Sequence, residues 1–377
     1  MNPPQRLLLL GGGHAHVQVL DALARAPLAG VQVTLVTPYA RQMYSGMVPG
    51  LLAGHYTAEQ CAIPLAPLAA AAGVTLHLAR AVALDAHARQ VTLDDGRRLD
   101  YELLSIDTGP QTDLDSLPGA RAHGLPVRPI EGMLQRLEAL GADEVPAWVV
   151  VGGGAAGVEL ALALAHRQRG TALAHPQRAT ARVALVAGAA PLAGLGANVQ
   201  RRAWRALAAQ GVSLHRQSAA AVAADHVLLA DGTRLPCAVA LLALGAAAPA
   251  WLAGSGLALD ERGFIATGAT LQSVSHAEVF AAGDVATRID APHPKSGVHA
   301  VRAGPPLAAN LRNALHGGPL QTYLPQTRTL YLLSCGERRA IASWGGWTAE
   351  GACVWRWKDR IDRAFVARYT RAEPVKA

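Results

Sequence analysis

Residues 7–10 are four leucines, and Gly11, Gly12 and Gly13 follow them directly before an apolar pattern at Val17, Leu20, Leu23 and Ala24. Period and punctuation read as strand, tight turn and helix. Such a turn leaves free N–H groups and partial positive charge at the helix start, the chemistry needed to hold a diphosphate. Gly11 is expected to tighten the turn and Gly13 to let the diphosphate approach the backbone. His16 stands where a third glycine usually permits close helix packing, so the helix must sit differently or bury an imidazole. A complete second copy follows the apolar strand at 148–151, with Gly152, Gly154, Gly157 and then Glu159. Two single side chains add to these turns. Asp284 ends a strand at Gly283 and can accept hydrogen bonds from polyol hydroxyls, while Lys295 and the helix start behind it favour negative charge on a ring system.

The chain has 377 residues, 51% of them apolar and 16% charged, which suits two or three compact α/β domains and excludes a disordered chain. Its formal charge of +7 comes without a basic run or an aromatic ladder, which argues against a nucleic-acid partner. Cys61, Cys237, Cys335 and Cys353 are widely spaced without a CxxC pair. Neither a disulfide framework nor a metal site is expected, and a reducing, cytoplasmic compartment fits. The leucine run is too short for a secretory signal core, and no apolar stretch approaches the ~20 residues that span a bilayer.

Other elements must position these groups. Residues 31–36 form a buried strand ending at Thr37, whose hydroxyl stands where a carboxylate usually grips an adenosine ribose. A glycine-rich loop with Arg41, Tyr44 and Met47 follows. Then come strand segments at 74–78 and 81–84, a hairpin about Asp94-Asp95-Gly96, and a buried strand at 103–108 leaving through Thr108 and Gly109. Residues 118–129 read as a linker. The second copy repeats the plan: strand 148–151, helix from Ala155 to about Gln168, strand 182–186, hairpin at Asp231-Gly232, and exit strand 239–245 ending in Gly245. Its second strand ends in Ala187-Gly188, with neither the carboxylate expected for a 2′-hydroxyl nor an arginine for a 2′-phosphate. Strands at 264–267 and 279–284 precede a helix at 298–313 that should break or bend at Pro305-Pro306. Toward the C-terminus Trp344, Trp347, Trp355 and Trp357 cluster. There Val354, Trp357, Ile361 and Phe365 trace a helical face opposite Arg356, Arg360, Arg363 and Arg368. That face suits docking on the body, a homodimer contact or a membrane surface.

In this order the motifs resemble the two-dinucleotide-binding-domain flavoproteins, the pyridine nucleotide-disulfide oxidoreductase superfamily, over nearly the whole chain. The resemblance implies an α/β, glutathione-reductase-like fold of two Rossmann-like domains with a small C-terminal segment. Residues 1–115 and 252–318 would form the FAD-binding domain, 116–251 the NAD(P)H-binding domain, and 319–377 an interface or membrane-surface segment. It implies FAD held by Gly11, Gly12, Gly13, His14, Thr37 and Arg41, with Val82 marking the backbone segment beside the adenine. Thr108-Gly109 would mark the exit strand, Gly283-Asp284 would bind the ribityl chain, and Lys295 would lie near the ring. NAD(P)H would be held by Gly152, Gly154, Gly157 and Gly245, with Glu159 near its nicotinamide. Lys295, Tyr44 and His14 are the expected catalytic groups: Lys295 favouring an anionic ring, Tyr44 with Met47 walling the acceptor side, and His14 or His299 relaying protons.

Within the superfamily the chain is similar to type II NADH dehydrogenases and sulfide:quinone oxidoreductases. It is most similar to the module sometimes fused ahead of selenide, water dikinase, through Gly11-Gly12-Gly13-His14-Ala15-His16-Val17 and Tyr44-Ser45-Gly46-Met47-Val48-Pro49-Gly50. The expected activity is hydride transfer from NAD(P)H to FAD and electron delivery to a quinone or small-molecule acceptor, without a redox disulfide. The alternative is an FAD-binding partner or sensor of selenium metabolism with a degenerate nicotinamide site. The expected location is cytoplasmic, with peripheral contact at the inner face of the membrane through the C-terminal segment. Two departures stand out. Quinone-reducing relatives often carry Ala-Gln-x-Ala-x-Gln where this chain has Gly297-Val298-His299-Ala300-Val301-Arg302, and no cysteine lies near the second turn, where sulfide-oxidising enzymes need one.

Overall fold

The computed structural model describes residues 4–139, 147–174 and 183–370. Gln5–Leu10 (β1) leads through the glycine turn into His14–Arg25 (α1), and Val31–Thr37 (β2) returns in parallel with Val36 opposite Leu10. Thr75–Leu78 (β3) extends the sheet beyond β2, and Leu103–Ile106 (β4) flanks β1 on its other side. The chain then builds a second sheet from Gly124–Pro126 (β5), Trp148–Val151 (β6), Ala155–Ala174 (α2), Val183–Val186 (β7), Ala197–Ala209 (α3), Ser213–His215 (β8) and Val239–Leu242 (β9). Val279–Ala281 (β10) rejoins the first sheet. The strand orders are β10-β4-β1-β2-β3 and β5-β9-β6-β7-β8, parallel throughout. Each central strand therefore carries a glycine turn at the point where the strand order reverses, where α/β sheets take ligands. β6 and β9 are buried at every residue, as a parallel sheet covered by helices requires. Residues 118–129, expected as a linker, supply the edge strand β5. Arg182, expected to open a strand, lies outside the described residues.

Gly297–His316 (α4) runs unbroken through Pro305 and Pro306, against the expected break. Proline at 305 cannot donate to the carbonyl four residues back, that of Val301. Gln18 of α1 supplies the missing donor, its Nε2 donating to Val301 O at 2.5 Å. The crossing is tight there: a Cβ on Gly304 would lie 2.4 Å from the Gln18 amide nitrogen. The proline that threatens α4 is thus answered by the helix packed against it.

Tyr331–Ser334 (β11), Ala340–Trp344 (β12) and Trp347–Gly351 (β13) form an antiparallel sheet over α2 and α3. Glu350 of β13 receives Arg202 at 2.7 Å and Arg205 at 3.4 Å from α3, and Arg169 of α2 meets Glu337 at 2.9 Å. Ala352–Thr370 (α5) then crosses back to the loop after β2. Its inward side is Val354, Lys358, Asp362, Val366 and Tyr369, so of the apolar face read from sequence Val354 is buried and Phe365 packs against the core. Trp357 and Ile361 face outward, because the surface beneath α5 is polar: Lys358 Nζ donates to Gly46 O at 2.6 Å. No helix among the described residues is long and apolar enough to cross a membrane.

Gln18→Ala leaves the Val301 carbonyl without its partner and should cost about 1–3 kcal/mol. In urea denaturation the midpoint should fall with the slope unchanged; an unmoved midpoint would mean that the carbonyl is satisfied elsewhere.

Candidate functional site

The C-terminal ends of β1, β2 and β4 open onto one cavity of about 270 Å³. Gly11 has φ +91°, and a Cβ there would lie 2.3 Å from Asp107 O, so only glycine makes this turn. Gly13 is small for a reason other than the one expected. A Cβ on it would strike the Asp107 carboxylate, 2.4 Å from Oδ2, before any ligand was involved. That carboxylate reaches over from the exit of β4 and caps α1, whose N-cap residue has no side chain to offer. Asp107 Oδ2 accepts the N–H groups of Ala15 at 2.8 Å and His16 at 3.0 Å. The N–H groups of Gly12, Gly13 and His14 find no acceptor among the described residues. Burial pushes the Asp107 carboxyl up to about 7, against the pull of its two amides and with the Asp284 charge adding to the rise.

His16 is fully buried, its Nδ1 2.6 Å from Gly11 O and its Nε2 2.8 Å from Ser105 Oγ. Burial lowers its pKa to about 4, so the ring is neutral. A neutral ring facing a carbonyl must donate from Nδ1 and accept the serine proton at Nε2. The missing third glycine is replaced by a buried imidazole with both nitrogens satisfied.

Around the cavity stand Thr37, Arg41, Thr108, Gly109 and Asp284, all expected, together with Arg80, Arg128 and Glu131, which were not. Asp284 Oδ2 lies 3.8 Å from Arg128 Nη2, and Glu131 Oε1 accepts the Met43 N–H at 3.0 Å. Arg128 and Glu131 come from the end of the supposed linker and the helix after it, which carried no motif to reveal them. Val82, expected to offer only its backbone, turns its side chain to solvent, and Ala79, Arg80 and Ala81 just before it line the cavity. Gly283, at φ +70°, makes room for Asp107 Oδ1 and aims Asp284. Lys295 is also elsewhere: its Nζ donates to Ala286 O at 2.8 Å and Thr287 Oγ1 at 3.0 Å, and sits 3.7 Å from the centre of the Phe264 ring. Burial lowers its pKa to about 8 while Asp284 pulls it up, so its charge bears on the cavity through Asp284 rather than by contact.

His14 lines the cavity, and burial lowers its pKa to about 4. Gln42 Nε2 lies 3.4 Å from His14 Nδ1 and also donates to Met43 O at 2.6 Å. With the amide as donor, Nδ1 accepts and Nε2 carries the proton. That Nε2 is buried with no partner, near the start of α4, where a Cβ on Gly297 would stand 3.9 Å away. Tyr44 lies behind His14, ring centres 5.5 Å apart, and stacks on Phe365 of α5 at 4.6 Å. Burial and then the charge of Asp362 push the Tyr44 phenol up, so it stays protonated. Asp362 in turn holds Lys358 at 2.6 Å in a buried ion pair. Met47 is core, and His299 is buried against the ring of His293, 4.2 Å away.

The second turn has the same frame with different contents. Ala243 follows β9 where Asp107 follows β4, and a Cβ on Gly152 would meet its carbonyl at 2.2 Å. Gly157 approaches Gly152 O so closely that a Cβ would lie 1.9 Å from it, the contact His16 replaces in the first copy. Gly154 and Gly245 face open space. Glu159 points away from this opening, under β11, where its Oε1 accepts the Ser334 N–H at 2.7 Å. Burial pushes its carboxyl up to about 7, opposed by Lys358.

The site residues fit a flavin adenine dinucleotide: free amides and arginines for a diphosphate, a carboxylate for hydroxyls, and an orphaned donor at His14. The sequence profile of the pyridine nucleotide-disulphide oxidoreductases matches residues 5–304. The demethylphylloquinone reductase of Synechocystis is 26% identical over 306 residues, covering 76% of this chain and 73% of that protein. Among solved structures, NDH2 of Plasmodium falciparum with NADH superposes with a TM-score of 0.78 at 12% identity, over 99% of this chain and 100% of that one. The sulfide:quinone oxidoreductase of Aquifex aeolicus gives 0.77 at 19% identity, over 99% and 93%.

Asp107→Ala should release flavin on dialysis and cost about 2–3 kcal/mol, since two buried amides lose their acceptor. Asp107→Asn should keep the fold. A diphosphate bound beside Asp107 raises its pKa further, so flavin binding takes up a proton and weakens as pH rises through about 7. Flavin affinity measured from pH 6 to 8 should show this slope in the wild type and lose it in Asp107→Asn; matching slopes would exclude Asp107 as its source.

Proposed function

The chain belongs to the pyridine nucleotide-disulphide oxidoreductase family, and we propose that it is an FAD-dependent enzyme that oxidises NAD(P)H and delivers the electrons to a quinone. The observation that carries this reading is the orphaned His14 Nε2–H in a cavity whose other walls suit a dinucleotide. When bound, FAD supplies the chemistry, taking a hydride from the nicotinamide and passing electrons on. The first sheet, with the free amides of Gly12, Gly13 and His14 and the charges of Arg41 and Arg128, holds the diphosphate. Asp284 orients the hydroxyl-bearing chain. His14 donates from Nε2 to a polar edge of the ring, and the start of α4 favours negative charge there. The second sheet takes the nicotinamide nucleotide at Gly152, Gly154 and Gly157.

Several features favour a quinone as the acceptor. Thiols are unsuitable: burial raises Cys61 and Cys335 to about 12 and Cys237 to about 11, and the exposed Cys353 lies at the far end of α5, turned outward. The relative from Synechocystis is named a demethylphylloquinone reductase, and two neighbours in fold are NDH2 and a sulfide:quinone oxidoreductase. Trp344, Trp347, Trp357 and Ile361 are all exposed on the C-terminal layer, a surface suited to the lipid where apolar quinones dissolve. Tyr44 and Phe365 cover His14 on the side facing α5, and the ion pair beneath them offers charge and protons in an otherwise apolar wall. The link to selenium metabolism suggested by the His14 turn has no counterpart among the relatives named above.

Anaerobic mixing of the yellow protein with NADH or NADPH should bleach the flavin band, and a short-chain quinone should restore it. No bleaching by either nucleotide with FAD bound would overturn the reading. His14→Ala should keep its flavin and bleach on the order of 10²-fold more slowly. For the membrane surface, replacing Trp344 and Trp347 by serine should cut co-sedimentation with anionic vesicles; equal sedimentation would remove that role.

A further inference from the structure

β7 leaves the second sheet through Ala187 and Gly188, and β8 runs beside it. The Ala187 N–H donates to His215 O at 2.8 Å and the Gly188 N–H to Gln217 O at 3.2 Å. This ladder sets the backbone of Arg216 alongside the two residues at which a dinucleotide's adenosine ribose is read. A carboxylate in that place would accept from a 2′-hydroxyl and repel a 2′-phosphate; the chain has alanine and glycine there. Arg216 is exposed, and its guanidinium lies 4.6 Å from the centre of the Trp204 ring on α3. It has no carboxylate partner among the described residues, whereas Arg202 and Arg205 of the same helix are drawn to Glu350. Trp204 packs against the core, so Arg216 rests on a partly buried aromatic plate. Gly188, at φ +69°, carries no side chain into the space, and a Cβ there would still be 3.9 Å from Ser218 Oγ.

We propose that this corner is a 2′-phosphate subsite, in which Arg216 and the Ser218 hydroxyl hold the phosphate and make NADPH rather than NADH the reductant. The inference rests on the nicotinamide reading of the second sheet. The phosphate dianion gains a charge-assisted, directional partner, and no acid at the strand end opposes it. The stacked guanidinium is pre-ordered, so little side-chain freedom is lost when it binds.

Calorimetric titration of the flavin-loaded protein with NADP⁺ and NAD⁺, and with 2′,5′-ADP and 5′-AMP, reads the subsite without turnover. The phosphorylated member of each pair should bind about 10- to 100-fold more tightly. Arg216→Ala should bring that ratio close to one, and Arg216→Glu should invert it. Equal affinities in the wild type, or a ratio unmoved by either variant, would overturn the inference. Flavin bleaching separates the two levels of the account. Bleaching by NADH at least as fast as by NADPH overturns the subsite alone, and bleaching by neither overturns the nicotinamide reading together with it.

Discussion

A carboxylate buried at the first turn of α1 dictates the geometry around it. Burying Asp107 is costly, and only the two amides of α1, the helix dipole behind them and partial neutralisation near pH 7 offset that cost. Because the Asp107 carboxylate must be there, Gly13 and Gly283 must lack a Cβ, and Asp284 is held at the cavity wall by the turn that Gly283 makes. Because it takes the Ala15 and His16 amides, the amides left for an anion are those one step nearer the strand. A motif usually explained by its ligand is, in this chain, shaped first by an internal acid.

The two sheets repeat one strand order and differ in how the turn is filled. The first turn is closed from within by Asp107, which holds two amides of α1, and by His16, which links Gly11 to Ser105. The second keeps its three glycines, has Ala243 in the acid's place and faces open space at Gly154. Rigid closure suits a group that stays bound, and the emptier turn suits a nucleotide that must come and go. The C-terminal layer spans both. Glu350 and Glu337 tie it to α2 and α3, while Lys358 and Phe365 of α5 reach the loop beside His14. Any change in how the two sheets sit is therefore felt at the wall of the first-sheet cavity.

Much of this was legible because short parallel strands are buried on both faces and glycine turns break them at fixed points. The apolar runs before Gly11 and Gly152, and the exits at Gly109 and Gly245, were enough to place the two sheets. The substitution of His16 for glycine also announced a buried imidazole. Its partner Ser105, a single polar residue in an apolar strand, was the visible clue to what satisfies it. Asp107 was missed although the repeat exposed it, since the matching residue in the second copy is alanine. Arg128 and Glu131 could not be found from local pattern, because a segment without motif is brought to the cavity only by pairing of β5 with β9. Lys295 lies off the cavity for the opposite reason. Position beside a motif says little about direction, and the Ala286 carbonyl decided where that side chain went. The face of α5 was read only in part: Val354 and Phe365 turn inward as its pattern suggests, but an ion pair takes the place expected for Trp357 and Ile361.

A crystal structure of the flavin-loaded protein tests the central claim most directly. In it Asp107 should keep the Ala15 and His16 amides while the diphosphate sits on those of Gly12, Gly13 and His14, with His14 Nε2 directed at the ring. A structure in which Asp107 has swung away and the diphosphate has taken the Ala15 and His16 amides would contradict it.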